Sequence, residues 1–387
     1  MNCIAVIGAG AMGSGIGQVA AMAGNEVYIY DTFSPSIIKA QETISFSLNK
    51  LFEKNKITGE QSKDIFRKIH FIDKLHEISN CDLIIEAIIE NEAEKKKLFQ
   101  QIEAIVDKNA IIASNTSSLS VTRLAHSLSA PERFIGIHFF NPPFLMKLVE
   151  IIPALQTSPE ITEKTIEIIR SWDKTTVVAK DTPGFIVNRI ARPFYGEALR
   201  IAEEQLATPE LIDRAMKEIG GFKMGPFELM DFIGNDINQA VTHSVWSAMN
   251  YDQRYKPSFL QQSMVAAGWL GKKAGKGFYN YTSGGEKINS DSGAINQYIF
   301  TITKEDISER IVTMLINEAA DAHYYGIASR DDIDKAMSLG VNYPKGLLKW
   351  ADEMGIQTCV DRMDHLYEFY REDRYRCSPG LRKMASA

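Results

Sequence analysis

His138 and Glu150 are a pair that could move a proton together. His138 closes a predicted strand at residues 134–137, and Glu150 lies in the next apolar run, so one sheet edge can bring an imidazole and a carboxylate side by side. A neutral histidine held by a buried carboxylate can accept a hydroxyl proton while hydride leaves the same carbon, and the carboxylate then stabilises the imidazolium. Upstream, Asn115, Thr116, Ser117 and Ser118 follow a predicted strand at 110–113, on the carboxyl edge where doubly wound sheets bind ligands. Plainer readings stand beside these on pattern alone. His138 could be a satisfied structural histidine, Glu150 a solvated strand residue, Ser117 a helix N-cap and Asn188 the start of a helix.

Near the chain start, Gly8, Gly10 and Gly13 take the spacing G-x-G-x-x-G between a short apolar strand (residues 4–7) and an apolar helix pattern through Ile16, Val19, Ala20 and Ala23. Gly8 permits the tight turn, Gly10 lets backbone approach a pyrophosphate, and Gly13 lets the helix pack on the sheet. Ala11 and Met12 complete the phosphate-facing turn, where free N–H groups and the helix dipole favour anions. The second predicted strand ends in Asp31, which can accept hydrogen bonds from both hydroxyls of an adenosine ribose. An acid there repels a 2′-phosphate, and Thr32-Phe33-Ser34 offer no arginine to hold one. The expected cofactor is therefore NAD rather than NADP.

These groups need a scaffold, and 387 residues with 45 % apolar content can build several cores. The net charge of −6 and the lack of long Lys/Arg runs argue against a nucleic-acid or anionic-membrane surface. Cys3, Cys81, Cys359 and Cys377 show no metal-ligand spacing. With no signal peptide and no apolar run of about 18 residues, a cytoplasmic protein without metal is expected. Helix patterns at 34–54 and 60–68 and strands near 70 and at 83–85, 110–113, 134–137, 148–151 and 175–179 describe a doubly wound α/β sheet with additions. Pro183-Gly184 breaks the alternation, and beyond it the chain is nearly all helix.

Past the polar stretch 282–294 the chain repeats itself. An offset of 121 positions aligns Arg189 with Arg310, Glu197 with Glu318, Asp213 with Asp334, Gly225 with Gly346, Asp231 with Asp352 and Gly234 with Gly355. Two copies of one all-α domain are expected. The predicted divisions are a Rossmann domain at 1–182, a first helical domain at 183–282, a linker at 283–301 and a second helical copy at 302–387.

The motifs GAGAMGSGI, EAIIEN, SNTSSL, HFFNPPFLMKLVE, KDTPGFIVNR, MGPFELMDFIG and GKKAGKGFYNY together resemble the L-3-hydroxyacyl-CoA dehydrogenases, over residues 1 to about 281. The resemblance implies that His138 is the catalytic base and Glu150 its orienting partner, with Ser117 and Asn188 at the substrate oxygen. It implies NAD contacts from Asp31, Glu90, Lys95, Asn115, Ser117, Asn141 and Lys273, and coenzyme A contacts from Ser47 and Lys54. Lys54 also reads as part of a solvated charged face, Lys273 as a basic turn, and Glu90 with Lys95 as helix-surface pairing. The second helical copy resembles the arrangement in multifunctional fatty-acid oxidation enzymes, where two copies pack within one chain. It carries Glu309 in place of Asn188, so it is expected to serve as the packing partner in an internal pseudo-dimer, the chain being a monomer or a homodimer. A dehydrogenase of a free hydroxy acid, of the carnitine or gulonate type, and a non-catalytic nucleotide-binding protein are the other readings.

Overall fold

Strands buried on both faces read as unbroken apolar runs, and the first unit is built on them. The computed structural model describes residues 2–288 and 302–386. In the unit Met1–Phe185, β1 (Cys3–Ile7) leads into α1 (Ala11–Met22), followed by β2 (Glu26–Tyr30), α2 (Ser34–Glu53), α3 (Gly59–Arg67) and β3 (Ile69–Ile72). Then come β4 (Leu83–Glu86), α4 (Glu92–Glu103), β5 (Ile111–Ser114), α5 (Val121–Ala125), β6 (Phe134–Phe139), β7 (Leu148–Pro153), α6 (Pro159–Ser171) and β8 (Thr175–Val178). They form one sheet in the order β3-β2-β1-β4-β5-β6-β7-β8. The direction of winding reverses between β1 and β4, so a crevice opens beyond their carboxyl ends. Ile4, Val6, Ile16, Ile29, Leu83, Ile85, Ile135 and Val149 belong to its apolar core.

All neighbouring strands run parallel except β6 and β7, which are antiparallel with His138 opposite Glu150 in register. The eight residues between these strands are too few for a crossover helix, which dictates the reversal. Gly8 has φ +108°, and a Cβ on Gly13 would lie 1.7 Å from the Gly8 carbonyl oxygen, so the turn into α1 closes only with glycine at both positions.

The second unit, Ile186–Ala387, is helical. Its first copy holds α7 (Val187–Ile190), α8 (Arg192–Glu203), α9 (Pro209–Glu218), α10 (Pro226–Ile233), α11 (Asn235–Ala248) and α12 (Phe259–Ala266). Its second holds α13 (Lys304–Tyr324), α14 (Arg330–Gly340), α15 (Leu347–Met354), α16 (Ile356–Tyr370) and α17 (Pro379–Ala385). The division between the units falls just past the expected boundary at residue 182, and both copies share one unit. From Ile307 to Ala322 α13 is almost wholly buried, which makes it the hub of this unit. The start of the expected linker is structured, since Lys287–Ile288 pairs with Asn280–Tyr281 as a short hairpin. The rest of the linker lies outside the described residues. Among the described residues no helix is long and apolar enough to cross a membrane.

The two copies meet through reciprocal ion pairs. Arg189 Nε donates to Glu318 at 2.6 Å, and its repeat partner Arg310 donates to Glu197, the repeat partner of Glu318, also at 2.6 Å. Tyr255 and Tyr375 hydroxyls donate to the same two carboxylates at 2.5 and 2.7 Å. Burial works against ionising Glu197 and Glu318, yet the arginines hold both carboxyls below their ordinary range.

Candidate active site

A cavity of about 980 Å³ opens at the reversal point, lined by Gly8, Gly10, Ala11, Met12, Asp31 and Ala87 among others. A Cβ on Gly10 would meet nothing within 4 Å, so that face of the turn is open to a ligand. The N-terminus of α1 directs backbone N–H groups towards this space, as a pyrophosphate requires. Asp31 stands at the end of β2, where its two carboxylate oxygens accept the Ala9 and Phe33 N–H groups at 2.8 and 2.9 Å. The fingerprint thus makes an anion cradle with a carboxylate beside it, the donor and acceptor set of a dinucleotide.

The neighbouring edge is organised by a buried charge cluster. Glu86 ends β4 with no exposed surface, and Lys95, 1 % exposed, reaches it from α4 at 2.5 Å. The Ser114 hydroxyl and the Ile88 N–H also donate to Glu86, at 2.7 and 2.6 Å. Burial pushes the Glu86 carboxyl up despite Lys95 and Ser114. Lys95 also lies 3.2 Å from Glu90, whose Oε1 accepts the Thr116 and Ser118 hydroxyls at 2.5 and 2.9 Å and the Ser117 N–H at 3.1 Å. Burial again opposes ionisation, but Lys95 and those hydroxyls hold Glu90 low. Glu90 and Lys95 are therefore not a surface helix pair; they fix the turn 115–118. Sequence reasoning missed Glu86, although an acid closing an otherwise apolar strand was the visible signal.

That turn is tied to the next strand, because Asn115 Oδ1 accepts the Phe139 N–H at 2.9 Å. On β6, His138 Nδ1 lies 2.7 Å from Glu150 Oε2. His138 is 6 % exposed and Glu150 is fully buried. A buried carboxylate accepts only, so Nδ1 carries the proton and Nε2 is left as the acceptor. The rings of Phe140 and Phe185 pack against the imidazole with centroids 4.6 and 5.9 Å away, which fixes its plane. Such a dyad can take a proton at Nε2 and hold the resulting cation.

The remaining expected residues separate into groups. Ser117 is not a helix cap: Ser120 caps α5 by accepting the Arg123 N–H, and Asp181 takes the Val121 and Thr122 N–H groups. Among the described residues no protein group hydrogen-bonds the Ser117 hydroxyl. Asn141 is exposed just after β6, joined to Pro142 by a cis bond. Lys54 is exposed beyond α2, whereas Ser47 is buried on the α2 stripe with Ala40, Ile44 and Leu48, its hydroxyl without a partner. The i, i+4 spacing of that stripe turns Ser47 inward. Asn188 and Lys273 belong to the helical unit. Asn188 lies on α7 and its carbonyl accepts Arg192 Nε at 2.9 Å, while Lys273 pairs with Asp236 at 2.6 Å.

Comparison with known proteins gives the same division. Residues 3–182 match the 3-hydroxyacyl-CoA dehydrogenase NAD binding domain, and residues 184–281 and 307–387 match the C-terminal domain of that family. A 3-hydroxyadipyl-CoA dehydrogenase of Escherichia coli is 35 % identical, spanning 100 % of this chain and 98 % of its own. A probable 3-hydroxybutyryl-CoA dehydrogenase of Deinococcus radiodurans is 43 % identical over 71 % of this chain and 99 % of its own. A crystal structure of a 3-hydroxybutyryl-CoA dehydrogenase from Escherichia coli superposes with a TM-score of 0.92 at 36 % identity, covering 100 % of this chain and 98 % of that one.

Proposed function

The chain belongs to the 3-hydroxyacyl-CoA dehydrogenase family, and we propose that it interconverts an L-3-hydroxyacyl-CoA and the 3-oxoacyl-CoA with His138 and Glu150 as its acid–base dyad. The in-register contact of His138 with buried Glu150 at 2.7 Å carries this reading. Gly8, Gly10, Ala11, Met12 and Asp31 would hold NAD, which when bound supplies the hydride acceptor. In the oxidative direction His138 Nε2 takes the 3-hydroxyl proton as C3 gives up hydride, and Glu150 stabilises the imidazolium. Ser117 and Asn188 hold the developing carbonyl oxygen, a role the unengaged Ser117 hydroxyl supports. Lys54 is the better-placed coenzyme A contact of the two expected, since Ser47 is buried.

The test is NADH oxidation with acetoacetyl-CoA, run beside free acetoacetate and beside NADPH. Turnover only with the thioester and NADH is expected; turnover of the free acid would replace this reading with a hydroxy-acid dehydrogenase. His138→Gln and Glu150→Gln should each lower kcat by about 10²–10⁴-fold with NAD binding intact.

We further propose that the two helical copies act as an internal pseudo-dimer and that the protein is a cytoplasmic monomer. The reciprocal Arg189–Glu318 and Arg310–Glu197 pairs support it, because mutual exchange of equivalent contacts is the signature of a two-fold interface. Light scattering should return the mass of one chain, and a tight homodimer would overturn the monomer.

A further inference from the structure

Two free cysteines of the first unit lie in contact. Cys3 opens β1 and Cys81 stands just ahead of β4, and their Sγ atoms are 2.6 Å apart, about half an ångström more than a sulfur–sulfur bond. The backbone holds them there. β1 and β4 pair in parallel with Ile4 opposite Leu83, the Asp82 N–H donates to the Cys3 carbonyl at 2.8 Å, and the Cys3 N–H donates to the Asp82 carboxylate at 2.9 Å. Closing a bond between these sulfurs therefore needs a small shift of side chains and no movement of strands.

The two sulfurs are not equivalent. Cys3 is partly exposed, and a hydrogen bond from the Cys81 thiol holds its pKa down against burial and the nearby Asp82 and Glu26 carboxylates. Cys81 is buried, and donating that hydrogen bond, together with burial, pushes its own thiol up. An accessible sulfur that ionises readily beside a protected one is the arrangement that thiol–disulfide exchange uses. The helical unit supplies the contrast. Cys359 and Cys377 are both buried with thiols pushed up to about 11, chiefly by burial, and neither has a sulfur within hydrogen-bond distance among the described residues.

We propose that Cys3 and Cys81 form a reversible dithiol–disulfide site, which reacts with small disulfides of the glutathione type and staples the first unit when closed. The Cys3 thiolate attacks one sulfur of the small disulfide, whose S–S bond breaks, and the first thiol leaves with the proton that Cys3 gave up. Cys81 then loses its proton and attacks Cys3 Sγ, expelling the second thiol. The protein dithiol has lost two electrons and two protons, and the small disulfide has become two thiols. Because Cys81 already touches Cys3, the second step is intramolecular and the mixed disulfide does not accumulate. The closed loop runs from residue 3 to residue 81 and takes in β1, β2 and β3 with α1, α2 and α3, so the bond removes freedom from a long stretch of the unfolded chain. In a reducing compartment the pair rests as a dithiol and closes as the thiol–disulfide balance turns oxidising.

The deciding experiment incubates the native full chain with glutathione disulfide, counts free thiols after denaturation and maps the peptides by mass spectrometry. Two of the four thiols should disappear together, with a mass lower by two hydrogen atoms and a peptide joining Cys3 to Cys81, and a phosphine reductant should restore all four. Cys81→Ala should trap glutathione on Cys3, whereas Cys3→Ala should leave Cys81 unmodified. The oxidised chain should unfold in urea at a midpoint about 1 M above that of the reduced chain. Four thiols still free after incubation, a glutathione adduct that persists on Cys3 of the unaltered chain, or a bond between any other pair would each overturn the site. A Cys3–Cys81 bond with no rise in the midpoint would overturn the staple.

Discussion

The two helical copies began as the same sequence pattern and have kept different things. Both retain the acid that receives the start of the following helix: Asp213 accepts the Phe227 and Glu228 N–H groups, and Asp334 accepts those of Leu348 and Lys349. Both retain the arginine and glutamate that cross between them. They differ wherever a residue serves something other than that mutual packing. Asp231 is fully buried and accepts the Phe278 and Tyr279 N–H groups, the Tyr281 hydroxyl and the Asn235 amide, so it fastens the segment that carries Lys273. Its counterpart Asp352 is half exposed and pairs with Arg330. What a repeat conserves is thus a record of what holds it together, and what it drops points to the work done by one copy alone.

The strongest way to break the comparison is at the shared contact. Glu318→Gln leaves Arg189 and Arg254 with Asp321 as their one remaining carboxylate, and Glu197→Gln leaves Arg310 with Glu204; each should cost about 3 kcal/mol in urea unfolding. Similar losses from both are expected, and a large loss from only one would mean that the two contacts are not equivalent. Next in size is the divergence at Asn188, the residue proposed to face substrate. Asn188→Ala should lower kcat/KM by about 10²-fold, whereas Glu309→Ala should leave it within about twofold, because a surface ion pair such as that of Glu309 with Arg362 contributes little. The smallest effect separates the two aspartates. Asp231→Asn sets an amide against groups that already donate and should cost about 1–3 kcal/mol, with faster proteolysis within residues 271–281. Asp352→Asn should change the melting behaviour by less than about 1 kcal/mol.

Much of this was legible in the sequence, for identifiable reasons. Buried parallel strands announce themselves as apolar runs, so β2 is found as expected and the other strands within a residue or two, among them β6, which runs on through His138 to Phe139. The repeat was readable because glycines and aspartates at fixed spacing do not arise from helical periodicity. Pairing direction was harder to see, since β6 and β7 look like any two strands of a parallel sheet until the shortness of their connection is weighed. In the serine-rich turn, Ser117 and Ser120 are equally good caps on composition, and only the position where α5 begins separates them. The burial of Lys95 and Arg192 was opaque for a common reason. A charged side chain in sequence reads as surface, and its burial depends on partners distant along the chain.

The reciprocal contact also has a consequence for how this protein can change. In a homodimer every substitution occurs twice, once on each side of the axis, so an altered residue must be tolerated in both settings at once. Here the two sides are separate stretches of one polypeptide, and Glu309 and Thr313 stand on one side where Asn188 and Arg192 stand on the other. Joining the halves also makes their encounter intramolecular, so dilution cannot part them. One half is left free to drift while the other stays as it was.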